Sequence, residues 1–200
     1  MYDVDATDER SLTECLVYGR ALTDRYLKYY REYLSGFENM ELVATGSLLG
    51  IRESRRIIGE ETMLLEHFHA RAVFPNEIGR YAYLVDIHAG AATREAYEKF
   101  HQEHSTLRYS KGESYGIPYG AIVPKGLSNA LMAGRCLSAD RAMQSSMRVM
   151  PGCYITGQAA GTAAALAAEQ GKRPWDLDVR QIQQRLIGLG AYLPNAAAIS

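Results

Sequence analysis

The sequence predicts a mixed chain of helices and strands, α/β in the broad sense that includes α+β, and three features carry that expectation. The apolar run Leu131-Met-Ala-Gly134 reads as a buried strand ending at a glycine. Pro151, followed by Gly157-Gln-Ala-Ala-Gly-Thr-Ala-Ala-Ala-Leu-Ala-Ala168, reads as a long helix, because proline in a first turn has no needed amide hydrogen to lose. The alternating, β-branched stretches 41–58 and 80–87 read as strands.

Taken in order, residues 12–35 place Leu12, Leu16, Leu22, Tyr26, Leu27, Tyr30, Tyr33 and Leu34 at helical spacing, with Ser11 or Thr13 to cap and Gly36 to stop. This predicts an amphipathic helix whose tyrosines are core and rim residues. The strand at 41–58 runs around Gly46 and Gly50, residues 60–71 form a mixed helix or loop, and 92–100 a short helix. Polar residues 102–114 end in a stretch punctuated by glycine and proline, which sets an architectural boundary near residue 115. Strands around 120–123 and 130–137 follow, then a polar loop to Arg148, the helix at 151–171, and a last helix through Ile182, Leu186 and Ile187. The expected regions are therefore 1–115, 116–175 and 176–200.

A chain of 200 residues with 47% hydrophobic residues can bury a sizeable core, which excludes a disordered segment. A net charge of -1 provides no broad footprint for nucleic acid, and no run of 18 apolar residues is present to cross a bilayer. Cys15, Cys136 and Cys153 are odd in number and lack metal-binding spacing, so a reduced, cytoplasmic setting is expected; the acidic start at Asp3, Asp5, Asp8 and Glu9 shows no signal peptide. His67 and His69 flank no third ligand at supportive spacing, so no metal is expected; His101 and His104 read as polar helix-end residues.

Chemistry points to the second half of the chain. Gly157 and Gly161 lie one helical turn apart and, with Ala159, Ala160, Ala163 and Ala164, leave a face poor in side chains. Either a close backbone or a flat cofactor fills such a face. The free amides at the helix start attract an electronegative group.

Tyr115-Gly-Ile-Pro-Tyr-Gly-Ala-Ile-Val-Pro-Lys-Gly126, Asn129-Ala-Leu-Met-Ala-Gly-Arg-Cys-Leu-Ser-Ala-Asp140, Ser146-Met-Arg-Val-Met-Pro151 and Gly157-Gln-Ala-Ala-Gly-Thr-Ala-Ala-Ala165 occur in this order. Together they resemble the carboxyl-terminal end of FAD-dependent oxidoreductases related to the fumarate reductase and succinate dehydrogenase flavoproteins. Gly50-Ile-Arg-Glu-Ser-Arg-Arg-Ile-Ile-Gly59 and Val85-Asp-Ile-His88 extend the likeness upstream, so it covers most of residues 12–190. The resemblance implies part of a three-layer fold that binds FAD or NAD(P), with a mixed α+β substrate or cap region at 1–115, the return of the chain into the FAD-binding sheet at 116–175, and a terminal helix and tail. It also implies a hydride moved between a small organic substrate and flavin. The Gly-x-Gly-x-x-Gly turn that holds the cofactor pyrophosphate in such folds is absent from this sequence. The chain is then expected either to be a carboxyl-terminal piece of a longer flavoprotein or a short form that lost or borrowed its Rossmann half. Alone it is expected to bind FAD weakly or not at all and to be inactive. As an alternative it is a non-catalytic remnant or interaction module that pairs with a separate Rossmann-containing chain or with itself.

By resemblance the cofactor contacts are Ala133, Gly134, Arg135, Val149, Met150, Pro151 and Gly157. Arg135 stands where many relatives carry an acidic residue for a ribityl hydroxyl, and so meets a phosphate or a substrate carboxylate instead. Arg148 stands ahead of the helix as does the arginine that holds or protonates substrate in fumarate reductases, and its planar fork suits a carboxylate or enolate; otherwise it neutralises carboxylates or caps carbonyls. His88 is the candidate acid or base, since an imidazole near neutrality suits proton transfer, or else a strand-end histidine satisfying its neighbours, with Asp86 orienting it or capping a turn. Arg52 and Tyr119 are candidate substrate contacts. On a strand Arg52 and Arg56 share a face and Arg55 takes the other, where ion pairs with Glu53, Glu60 and Glu61 are the competing role.

Overall fold

A computed structural model describes residues 4–87, 93–95, 98 and 108–196. Two compact units divide between Ser54 and Arg55. In the first, helix α1 (Glu9–Tyr33) starts because Asp8 accepts the Ser11 amide at 2.7 Å. The carboxylate of Asp8 is the stronger cap, and the expected caps turn elsewhere: Ser11 Oγ accepts from the Asp5 amide and Thr13 Oγ1 donates to the Glu9 carbonyl. The helix ends at Leu34, two residues before Gly36, whose φ is +92°. Cys15 is the buried residue of α1, while Tyr18, Tyr26, Tyr29 and Tyr33 are more than half exposed, a correction to their reading as core and rim.

Residues 41–58 carry no strand, although their alternation suited one. Val43 is 94% exposed and Ile58 78% exposed, and without a neighbouring strand to take its hydrogen bonds the pattern has nothing to bury against. Backbone pairing appears only at the end of the stretch, where the Ile57 amide donates to the Cys136 carbonyl at 2.9 Å and Gly59 forms an isolated antiparallel bridge to Pro124.

The second unit is built on two antiparallel strands, β1 (Glu77–Tyr81) and β2 (Tyr115–Pro118), with Arg80 opposite Gly116 and Tyr81 opposite Tyr115. Because β1 and β2 pair, residues on both sides of position 115 share one sheet. The strand expected at 80–87 is regular only to Tyr81, and the one expected at 120–123 is a 3-10 turn, Tyr119–Ile122, placed just after Pro118 ends β2. Residues 130–133 carry no regular structure, with Met132 donating to the Ile122 carbonyl at 2.8 Å and Ala133 extended, and the chain then turns into a 3-10 helix at Gly134–Cys136, so no regular strand spans 130–137.

Helices α2 (Leu65–His69), α3 (Arg141–Met147), α4 (Met150–Gln170) and α5 (Val179–Gly188) surround the pair. The polar loop expected before Arg148 is helix α3: Asp140 caps it through the Met143 amide at 2.8 Å and also receives the Leu65 amide at 2.7 Å. The α4 start and its end at Gly171 agree with the sequence reading, as does α5. Ile155 of α4 lies directly on Gly79 of β1, and Gln183 of α5 donates to the Pro75 and Glu77 carbonyls. The core gathers Tyr115, Ile117, Ile122, Leu137, Met143 and Ile182. A buried pair, Arg80 with Glu77 at 2.8 Å, braces β1, and Asn195 donates to the other Glu77 oxygen. The described residues of the second unit thus form an α+β arrangement of helices around a two-stranded sheet.

Candidate functional site

The candidate site is built where α3 hands over to α4. Gly152 makes the handover tight: a Cβ there would stand 2.5 Å from the Met147 carbonyl oxygen. Ser146 and Arg148, two residues apart, both reach the segment that follows β1. Ser146 Oγ donates to the Tyr83 carbonyl at 2.7 Å and Arg148 Nη2 to the Asp86 carbonyl at 2.6 Å. Tyr115 hydroxyl and Ser146 Oγ are also bonded, at 2.7 Å, which anchors the stitch in the core. Arg148 is only 8% exposed, and its guanidinium stands 3.9 Å from the Asp86 carboxylate. A buried guanidinium beside a carbonyl and a carboxylate is neutralised and hydrogen-bonded within the fold. It fixes the backbone two residues ahead of His88. His88 itself lies outside the described residues, as do His101 and His104.

Val149 is the N-cap of α4 and provides no side-chain cap. The amides of the first turn are already divided. Pro151 has none, the Gly152 amide donates to the Tyr81 hydroxyl, and Cys153 donates to the Val149 carbonyl at 3.1 Å. Among the described residues this leaves the Met150 amide as the remaining first-turn donor, on a residue 68% exposed. The expectation of several free amides is thereby narrowed to one, plus the dipole of a 21-residue helix. Burial pushes the Tyr81 phenol above its ordinary pKa, with the Gly152 amide pulling the other way.

Gly134 faces this turn. Its φ is +76°, its amide donates to Thr156 Oγ1 at 2.9 Å, and Thr156 returns a bond to the Gly152 carbonyl at 3.0 Å. A Cβ at Gly134 would meet Cys153 Sγ at an ordinary 3.6 Å, so the glycine is required by its left-handed backbone and not by space. Ala133, Gly134, Arg135, Val149, Met150 and Pro151 are thus gathered around the α4 start. Arg135 is exposed, and its charge opposes the upward push that burial gives the Cys153 thiol. Gly157 is exposed on the second turn with nothing within 4 Å of a Cβ, and so is Gly161. Farther along the same helix, Leu131, Gly161, Ala164, Ala168 and Lys172 line a groove of about 740 Å³.

The two expected substrate contacts are Tyr119 and Arg52. Tyr119 is fully buried and donates to the Pro174 carbonyl at 2.8 Å, with its phenol pushed up by burial, so it braces the core. Arg52 is exposed in the first unit, on coil, and without a strand the shared face of Arg52 and Arg56 lapses. His67 accepts the Leu64 amide through Nδ1, and among the described residues no three His, Cys, Asp or Glu groups gather as a metal would require. Sequence reasoning missed Tyr81, Ser146 and Thr156. Ser146 stood inside a quoted motif; nothing local marked Tyr81 as a helix cap. Among the described residues no helix is long and apolar enough to cross a membrane.

No curated protein and no solved structure matches the chain. A family model described as FAD dependent oxidoreductase matches residues 1–186, nearly the whole sequence and every element of the site above. The chain with this Gly134 turn and α4 start therefore belongs to the FAD dependent oxidoreductase family.

Proposed function

We propose that the chain is the part of an FAD-dependent oxidoreductase that faces the flavin ring and the substrate, in a reaction that moves a hydride between a small organic molecule and the flavin. The observation that carries this reading is the Gly134 turn, hydrogen-bonded through Thr156 to the first turn of α4, which starts at the exposed Met150. A positive-φ glycine lets a ring approach the backbone, and the helix end favours negative charge there by roughly 0.3–2 kcal/mol depending on burial. These residues fit one edge of the cofactor. They do not fit its pyrophosphate, for which the sequence has no Gly-x-Gly-x-x-Gly turn. Bound FAD would supply the two-electron chemistry.

On this reading Arg148 orients the 82–87 segment and its Asp86, so that His88 can hold or move a proton at the substrate; gripping a substrate carboxylate would require the guanidinium to exchange the Asp86 carbonyl for it. Arg52 and Arg135 remain candidates for substrate or phosphate contacts. Residues 1–115 act as substrate or cap region, 116–175 complete the FAD-binding sheet of a three-layer fold, and 176–200 close it. We place the protein in the cytoplasm. The open face at Gly157 and Gly161 favours a second reading, a non-catalytic module that pairs with a separate Rossmann-containing chain.

Co-expression with a Rossmann-containing half tests both. The purified chain alone should be colourless, and the complex should retain FAD and be reduced by substrate. An isolated chain that keeps stoichiometric flavin through gel filtration sinks the division of labour proposed here, and a complex that holds FAD but is reduced by no substrate favours the second reading.

A further inference from the structure

Helix α1 of the first unit carries an exposed aromatic stripe. Tyr18, Tyr26, Tyr29 and Tyr33 fall within about 80° of one another around the helix at 3.6 residues per turn, and each is between 51% and 64% exposed. Tyr29 and Tyr33 lean on each other with ring centroids 5.1 Å apart, and Tyr26 stacks on Tyr30 at 6.0 Å. Ring contacts among Tyr26, Tyr29, Tyr30 and Tyr33 restrict these side chains, which lowers the entropic cost of covering them. Along one edge of the stripe run Arg25 and Glu32, both exposed, and the Tyr33 hydroxyl donates to the Glu32 carboxylate and folds that charge against the stripe.

Arg25 and Glu32 stand almost symmetrically about Tyr29, four residues before it and three after. A two-fold axis through Tyr29 therefore brings Arg25 to the partner's Glu32 and Glu32 to the partner's Arg25, while Tyr26 meets the partner's Tyr33. A parallel pair would carry the two charged edges to opposite sides of the seam, where they cannot meet. We propose that the Tyr26–Tyr33 part of the α1 stripe is a self-recognition surface that binds a second copy of this chain, antiparallel, about Tyr29. Tyr26, Tyr29 and Tyr33 each add on the order of 100 Å² per copy, which with Arg25 and Glu32 beside them keeps the contact at the weak end of specific interfaces.

Sedimentation equilibrium of the 200-residue chain tests this. The chain should dimerise with a dissociation constant on the order of 1–100 μM. Tyr29→Glu, which sets two carboxylates face to face on the axis, should weaken the dimer by about 10-fold or more. Arg25→Glu and Glu32→Arg should each weaken it about 3- to 10-fold, and the two together should restore it to within about twofold. Circular dichroism of every variant guards against misfolding. A chain that stays monomeric across this range overturns the proposal. So does a dimer indifferent to Tyr29→Glu, which would assign association to the open α4 face, or a double variant no tighter than the single ones.

Discussion

Arg148 Nη2 donates to the Asp86 carbonyl at 2.6 Å, from a side chain almost wholly withdrawn from solvent. This joins the Ser146-x-Arg148 pair at the end of α3 to the segment that leads into His88. Removing the charged donor loses this hydrogen bond, so Arg148→Ala should lower stability of the isolated chain by about 1.5–3 kcal/mol in urea unfolding. Asp86→Asn should cost far less, because the short bond is to the backbone and the carboxylate stands 3.9 Å away. In the flavin-loaded enzyme Arg148→Lys keeps the charge and loses the planar fork, and flavin reduction by substrate should slow by about 10- to 1000-fold. Unchanged single-turnover reduction would remove Arg148 from the mechanism and leave Arg52 or Arg135.

Tyr81 supplies the acceptor that α4 lacks at Val149. Tyr81→Phe keeps the ring and removes the oxygen, at an expected cost of about 0.5–1.5 kcal/mol. Hydrogen exchange at the Gly152 amide should quicken at the same time. Equal exchange rates in the two proteins would show that the amide has another acceptor.

The glycines of the α4 region divide by what surrounds them. Gly134→Ala forces an alanine into a left-handed backbone, which should cost about 1–2 kcal/mol, and Gly152→Ala drives a methyl into the Met147 carbonyl. Gly157→Ala enters open space inside a helix and should stabilise the isolated chain by roughly 0.5–1 kcal/mol. Thermal unfolding of the three variants decides; a destabilised Gly157→Ala would mean the face is already covered in solution.

Alkaline pH should unfold the chain through its buried phenols. Burial raises Tyr109 to about 12 and pushes Tyr115 and Tyr119 higher still. The folded state therefore keeps protons that the unfolded chain gives up near pH 10, so the stability these groups contribute is intact below that value and is lost as pH rises through the folded values. Tyrosinate absorbance at about pH 11 should report fewer than the 14 tyrosines, the rest appearing with unfolding. Smooth ionisation of all 14 in one step near pH 10, with the fold intact, would contradict the buried positions of Tyr115 and Tyr119.

Helices α1, α4 and α5 were legible because a helix satisfies its own backbone, and period, Pro151, Gly36 and Gly171 are local signals. The family was legible for a similar reason, since its motifs are short and contiguous. Strands were not: residues 41–58 alternate as a strand should, yet a strand exists only where a second one accepts its hydrogen bonds, and Tyr115–Pro118 met that condition while 41–58 did not. Gly134, Met150 and Pro151 could be named from sequence. Which amides they leave open was decided by Tyr81, about 70 residues upstream, and the bond from Arg148 to the Asp86 carbonyl came from packing that no local motif marked. Sequence specified the groups able to bind charge; only tertiary packing, by bringing distant acceptors within hydrogen-bond reach, determined which of those groups are already taken.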